Sequence, residues 1–176
     1  MPLFRNATGR KADGRTLLVA LTIYGGWIAV TACHATLPKP VVIMLGGWLI
    51  AWHGLLQHET VHGHPTRNQW VNGAIGFPPL SLWLPYGVYH RSHIAHHRSP
   101  AVTHPHFDPE SRYHDRRRTI ATQLARLQST LIGHLVLGPP ISILRFLAEE
   151  LARAVRDPAQ TARDWIPHLL GVALIL

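Results

Sequence analysis

TLLVALTIYGGWIAVTACHATLPKPVVIMLGGWLIAWHGLLQ, residues 16–57, is the stretch that decides the fold. Thr16 to Leu37 carries no acidic or basic residue over 22 positions, and Val41 to Gln57 is a second uncharged run of 17. A bilayer core takes roughly 17–25 apolar residues per spanning helix, so both runs qualify, the second at the short end. Leu37-Pro38-Lys39-Pro40 between them leaves room only for a tight turn. Residues 16–57 are therefore expected to form a transmembrane helical hairpin that crosses and returns.

The charges around this hairpin orient it. Arg5, Arg10, Lys11 and Arg15 precede the first run, and Arg91, Arg98, Arg112 and Arg116-Arg117-Arg118 follow the second, whereas only Lys39 lies in the turn. A hairpin brings both flanks to one side, and the excess of Lys and Arg there places that side in the cytoplasm. Residues 1–15 then form a cytoplasmic tail. The formal charge of +8 is explained by this placement, and no nucleic-acid-binding motif accompanies it, so no nucleic-acid partner is expected. The single cysteine, Cys33, excludes an internal disulfide and a cysteine-based zinc site. Val30-Thr31-Ala32-Cys33 loosely resembles a lipoprotein cleavage site, but cleavage there would destroy the hairpin.

Ten of the 14 histidines fall between Trp52 and Tyr113. Five of them form two blocks, His58-Glu59-Thr60-Val61-His62 and His93-Ile94-Ala95-His96-His97. Residues three or four apart share one face of a helix, so His58 can converge with His62, and His93 with His96 and His97. Each block stands close to an apolar segment, which points to a metal centre at the membrane surface, with residues 58–118 as its region on the cytoplasmic face. His90, His104, His106 and His114 are expected to be surface residues, or to pack against the ligands, rather than to bind metal. His34, His53, His134 and His168 are expected to be polar residues facing water.

Three chemistries remain open from these residues alone. His-Glu-x-x-His is also the zinc protease pattern, with Glu59 as general base. A metal-free membrane anchor is the blandest reading. A histidine array this rich suits a centre with two metals better than one zinc.

The rest of the chain completes an all-α membrane protein. Pro65 to Pro85, rich in Gly, Pro, Trp and Leu, suits a segment lying on or dipping into the interface. Pro100 to Pro109 is loop-like, and Asp108-Pro109-Glu110-Ser111 marks a turn and helix start. Residues 119–163 are expected to be an amphipathic, membrane-embedded helical region, with Gly138-Pro139-Pro140 dividing Leu131 to Leu147 into two pieces too short to span. A further spanning helix begins within residues 164–176, its apolar part being Trp165 to Leu176. That run stops after 12 residues, and the expectation is a chain that continues beyond Leu176, the helix being truncated there.

The region from His58 to Ser111 resembles the membrane-bound fatty acid desaturase family, which also holds hydroxylases and ketolases. His58-Glu59-Thr60-Val61-His62-Gly63 matches the family's first histidine box and His93-Ile94-Ala95-His96-His97 its second. Pro78-Pro79-Leu80, Trp83-Leu84-Pro85-Tyr86 and Asp108-Pro109-Glu110-Ser111 resemble bacterial members. The family's third box, His or Gln followed by x-x-His-His, has no counterpart in these residues. Beyond His114 only His134 and His168 occur.

The resemblance implies His58, His62, His93, His96 and His97 as metal ligands to two non-haem iron ions, with dioxygen as co-substrate. It implies that Glu59 orients a ligand histidine rather than binding iron. The substrate would be a lipid or acyl carrier. Removing hydrogen from an unactivated methylene needs an oxidant stronger than any side chain, and neutral imidazoles suit iron. No Gly-x-Gly-x-x-Gly loop for a flavin or nicotinamide is present, so an external electron donor of ferredoxin or cytochrome b5 type, with its reductase, is implied. Arg116 to Arg118 would anchor to anionic headgroups or help dock that carrier.

Overall fold

Asp13 starts the first helix by leaving the helical conformation itself and accepting hydrogen bonds from the Arg15 amide and the Thr16 hydroxyl, each at 3.0 Å. Its carboxylate thereby satisfies donors that the first turn of any helix leaves over. In the computed structural model, which describes residues 12–100, 108–110 and 130–176, the described residues form helices and turns with no strand.

The chain divides into two units, Met1–Leu82 and Trp83–Leu176. In the first, α1 runs Gly14–Cys33 and α2 runs Lys39–Val61, both long and apolar enough to cross a membrane. The 20 residues of α1 span about 30 Å, the thickness of a hydrocarbon core. The turn closes through the Thr36 and Leu37 amides on the Cys33 carbonyl, and Pro38 then caps α2. Pro40 falls in the first turn of α2, where its missing N–H costs nothing.

The two helices pack along Ala20, Ile23, Leu49 and Leu56, all buried. Gly26 lets them approach, since a Cβ there would lie 3.0 Å from Leu49 Cδ2. Leu18, Leu21, Ile28, Ile43, Met44 and Leu55 point outward, as lipid-facing side chains of a hairpin must. The hairpin expected over 16–57 is present and extends further: α2 continues four residues past Gln57, so the first histidine block lies on the spanning helix itself.

Helix α3, Gln69–Gly76, follows a loop tied by Asn72. The Asn72 carboxamide accepts from the Thr66 amide and hydroxyl and donates to the Thr66 carbonyl. Gln57 of α2 donates to the Gly76 carbonyl at 2.9 Å, and Tyr24 of α1 to that of Ile75, so α3 closes against the hairpin. Trp70 stands 89% exposed, as an interfacial tryptophan would.

The second unit holds α4 (Tyr86–Arg98), α5 (Leu131–Arg156) and α6 (Pro158–Ile175). Phe146 of α5 is fully buried with its ring centroid 5.3 Å from that of Trp83 and 6.5 Å from that of Trp165. Leu131, Ile132, Leu135, Val136, Leu144, Leu147, Leu151 and Val155 are exposed along α5.

Here the structure departs from the sequence reading. Pro139 and Pro140 lie inside one continuous 26-residue helix, and α5 is the third helix of sufficient length and apolarity to cross a membrane. Each proline removes one backbone donor, but full helical turns stand on both sides of the pair. Helix α6 also begins earlier than Trp165: Asp157 caps it by accepting from the Gln160 amide, and Pro158 occupies its first position.

His53 and His168 differ as well. Both are buried, 0% and 1% exposed, rather than facing water. His53 lies on the α2 face that meets α1, edge-on to Tyr24, and His168 lies edge-on to Trp165. His34 and His134 are exposed, as expected. The expectations for Arg5 and Arg10, Lys11, His104, His106, Arg112, His114, Arg116 to Arg118 and the helix onset at Thr119 lie outside the described residues.

Candidate metal centre

Each histidine block becomes a pair of facing imidazoles, one pair in each unit. At the end of α2, the His58 and His62 ring centroids are 4.5 Å apart. The i, i+4 spacing accounts for this, since His58 lies in the last turn and His62 is the C-cap. Gly63 stops the helix immediately afterwards. Its φ of +88° is in the left-handed region that glycine adopts without a Cβ penalty. The Gly63 and His64 amides return to the Thr60 and Glu59 carbonyls, which fixes where His62 stands.

On α4, the His93 and His97 rings lie 4.6 Å apart, and their Nε2 atoms face each other at 3.0 Å. In both pairs the ligand nitrogens lie within 4.8 Å, close enough to hold a metal ion. Two imidazole nitrogens pointing at one another need either a shared proton or a cation, and a metal satisfies both lone pairs.

Carboxylates hold the other side of these rings. Glu110 Oε1 lies 2.6 Å from His93 Nδ1, and Asp108 Oδ1 lies 2.7 Å from His96 Nδ1. Asp108 is buried and also accepts from the Glu110 amide at 3.0 Å, which locks the two carboxylates together. A carboxylate on Nδ1 keeps the proton there and presents Nε2 as the ligand atom, the usual arrangement around a metal-bound histidine. The His96 ring packs against the same pair, its centroid 6.1 Å from that of His93 and 5.4 Å from that of His97, while its Nε2 lies 3.8 Å from Glu110 Oε2. Of the five expected ligands, then, four form facing pairs and His96 is held by acidic partners.

Glu59 is exposed, with its Oε1 3.6 Å from His58 Nδ1, beyond direct hydrogen-bond distance. His90 is half-buried. Burial, then the neighbouring Arg91 and His93 charges, push its pKa below the ordinary histidine value and favour the neutral ring.

Beside His58 and Glu59, a groove of about 390 Å³ lies between α1 and α2, lined by Val19, Trp52, Leu55 and Leu56, with Arg15 and Thr16 at its edge. Its walls are apolar and its polar end is the histidine block.

Sequence reasoning missed the roles of Asp108 and Glu110, reading them as a turn and helix start. The available signal was two carboxylates 12 and 17 residues after their partners, in a stretch otherwise rich in His and Arg.

The family model for fatty acid desaturases matches residues 34–176, which includes both histidine blocks. The chain matches no curated protein and no solved structure.

Proposed function

The chain belongs to the fatty acid desaturase family, and on that premise we propose that it contributes to O2-dependent desaturation of an acyl lipid at a non-haem di-iron centre. His58, His62, His93, His96 and His97 are its proposed ligands; Glu110 and Asp108 hold the His93 and His96 rings, and Glu59 is proposed to orient His58. The observation that carries this reading is the pair of Nε2 atoms on His93 and His97, 3.0 Å apart, with Glu110 behind His93 on Nδ1. All-imidazole donors favour iron over the harder ions that oxygen cages select.

Bound iron would supply the activation of dioxygen that protein side chains cannot. Overall, two hydrogens leave adjacent methylenes, and dioxygen takes them up with two further protons and two electrons to give two waters. Those electrons come from a separate carrier of ferredoxin or cytochrome b5 type. The residues of this chain do the holding: Glu110 keeps a proton on His93 Nδ1, and Asp108 keeps one on His96 Nδ1. The apolar groove beside His58 is of a size that takes part of an acyl chain. The histidine blocks work from the cytoplasmic face, where a soluble electron donor can reach them.

The test is metal analysis of the purified protein together with lipid analysis of cells that express it. Iron in the protein and a new unsaturated acyl product support the reading. One zinc per chain with no iron would instead favour a protease using His58, Glu59 and His62. A hydroxylated product would keep the di-iron centre and replace desaturation by hydroxylation.

A further inference from the structure

Asp164 of α6 sits where three helices meet. Arg91 of α4 grips it with both arms of its guanidinium, Nη1 lying 2.6 Å from Oδ1 and Nη2 bonding Oδ2. Arg153 of α5 donates to the same Oδ2 at 2.7 Å, and Gln160 reaches Oδ1 at 3.4 Å. Arg153 also pairs with Glu150 at 3.1 Å, and Glu150 in turn accepts from the Trp165 indole at 3.0 Å. Two guanidinium groups thus balance two buried carboxylates, and every charge has a hydrogen-bonded partner, the condition under which a buried ion pair holds its geometry.

Gly87, one turn before Arg91, makes the approach possible. A Cβ there would lie 2.8 Å from Asp164 Oδ1, closer than any side chain tolerates. Gly87 and Arg91 therefore form the α4 face that meets α6. His93 and His97 lie roughly 200–240° around the helix from Arg91, on the far face. Helix α4 has only 13 residues, and no side chain caps its N-terminus. Asp164 grips it through Arg91 on one face, and Glu110 and Asp108 bond His93 and His96 elsewhere on the helix.

We infer that Asp164 is a positioning residue for the second histidine block: through Arg91 it fixes the rotation of α4 and so aims the His93 and His97 nitrogens. The inference rests on the proposal that α4 carries metal ligands. Arg91 supplies the second positive charge that, with Arg153, balances Asp164 and Glu150, and its two-armed grip from α4 also fixes direction, which a single contact cannot do.

The experiment compares the full chain with Arg91→Gln, which keeps the Arg153–Asp164 pair, and with Gly87→Ala, which keeps every charge. Two readouts are taken. Cobalt(II) serves as a probe of metal affinity and, through its d–d absorption, of ligand geometry. Modification of His93 by diethyl pyrocarbonate, read by peptide mass on metal-free protein, reports the orientation of α4 independently of metal. Both variants should keep their helicity, bind cobalt about 10–100-fold more weakly, show altered d–d bands and lose the protection of His93. Wild-type bands and an unchanged His93 modification rate in both variants would overturn the inference, as would loss of helicity in both, since a positioning role spares the fold. If the wild-type chain binds no cobalt, the metal proposal fails, and the modification rate alone decides whether Arg91 sets the rotation of α4.

Discussion

Glu110 Oε1 and His93 Nδ1 lie 2.6 Å apart, and His93 is only 4% exposed. A buried imidazole bonded on Nδ1 to a carboxylate is fixed in one orientation and one tautomer, leaving Nε2 toward His97. Replacing Glu110 by Gln keeps the size and removes the charge. Metal retention should weaken by about 10–100-fold, read by competition with a chelator. Unchanged retention would show that Glu110 is a bystander.

The proposed ligand histidines divide the effect more sharply. His58→Ala, His62→Ala, His93→Ala and His97→Ala should each abolish product and reduce bound iron, and His96→Ala should do the same. His34→Ala is the proper control, because His34 is exposed and its Nδ1 bonds the Thr31 carbonyl one turn back. Product and iron should be unaffected there. Normal turnover in His97→Ala protein would remove the basis for pairing it with His93.

The hairpin was legible in the sequence because lipid imposes a length and an apolar composition on any span. The histidine pairs were legible because helical spacing alone brings positions four apart together. What could not be read were the partners brought by tertiary packing. Asp164 stands 73 residues from Arg91, and no local pattern links them. Glu110 reaches His93 across 17 residues from a segment whose Asp-Pro pair reads most simply as a turn. His53 and His168 were misplaced because burial of a single polar residue depends on which helix covers it. The two prolines of α5 misled for a related reason, since a proline rule counts lost hydrogen bonds and not the turns on either side that carry the helix onward.

Gly63 offers a stability test next to the first block. An alanine there would have to adopt a φ of +88°, and its Cβ would lie 3.2 Å from Gln69 Nε2. The backbone term alone should cost about 1–2 kcal/mol, seen as a lower unfolding midpoint in detergent. Because Gly63 fixes the end of α2, iron occupancy at His58 and His62 should fall as well. A Gly63→Ala protein as stable as wild type would mean that α2 ends without using this turn.

The orientation of the hairpin can be tested with the protein's own thiol. Cys33 is exposed and is the last residue of α1, on the same end of the hairpin as Lys39. Arg15, His58 and His62 lie at the opposite end of the two helices. From the Arg and Lys residues that flank the two apolar runs in the sequence, we propose that this opposite end is cytoplasmic. A membrane-impermeant maleimide added to intact cells, or to spheroplasts of a bacterial host, should therefore label Cys33. In a Cys33→Ser background, a cysteine introduced at Arg67, which is exposed in the loop after the first histidine block, should react only after the membrane is permeabilised. The reverse pattern would put the histidine blocks outside the cell, away from any cytoplasmic electron donor, and the proposed desaturation would lose its source of electrons.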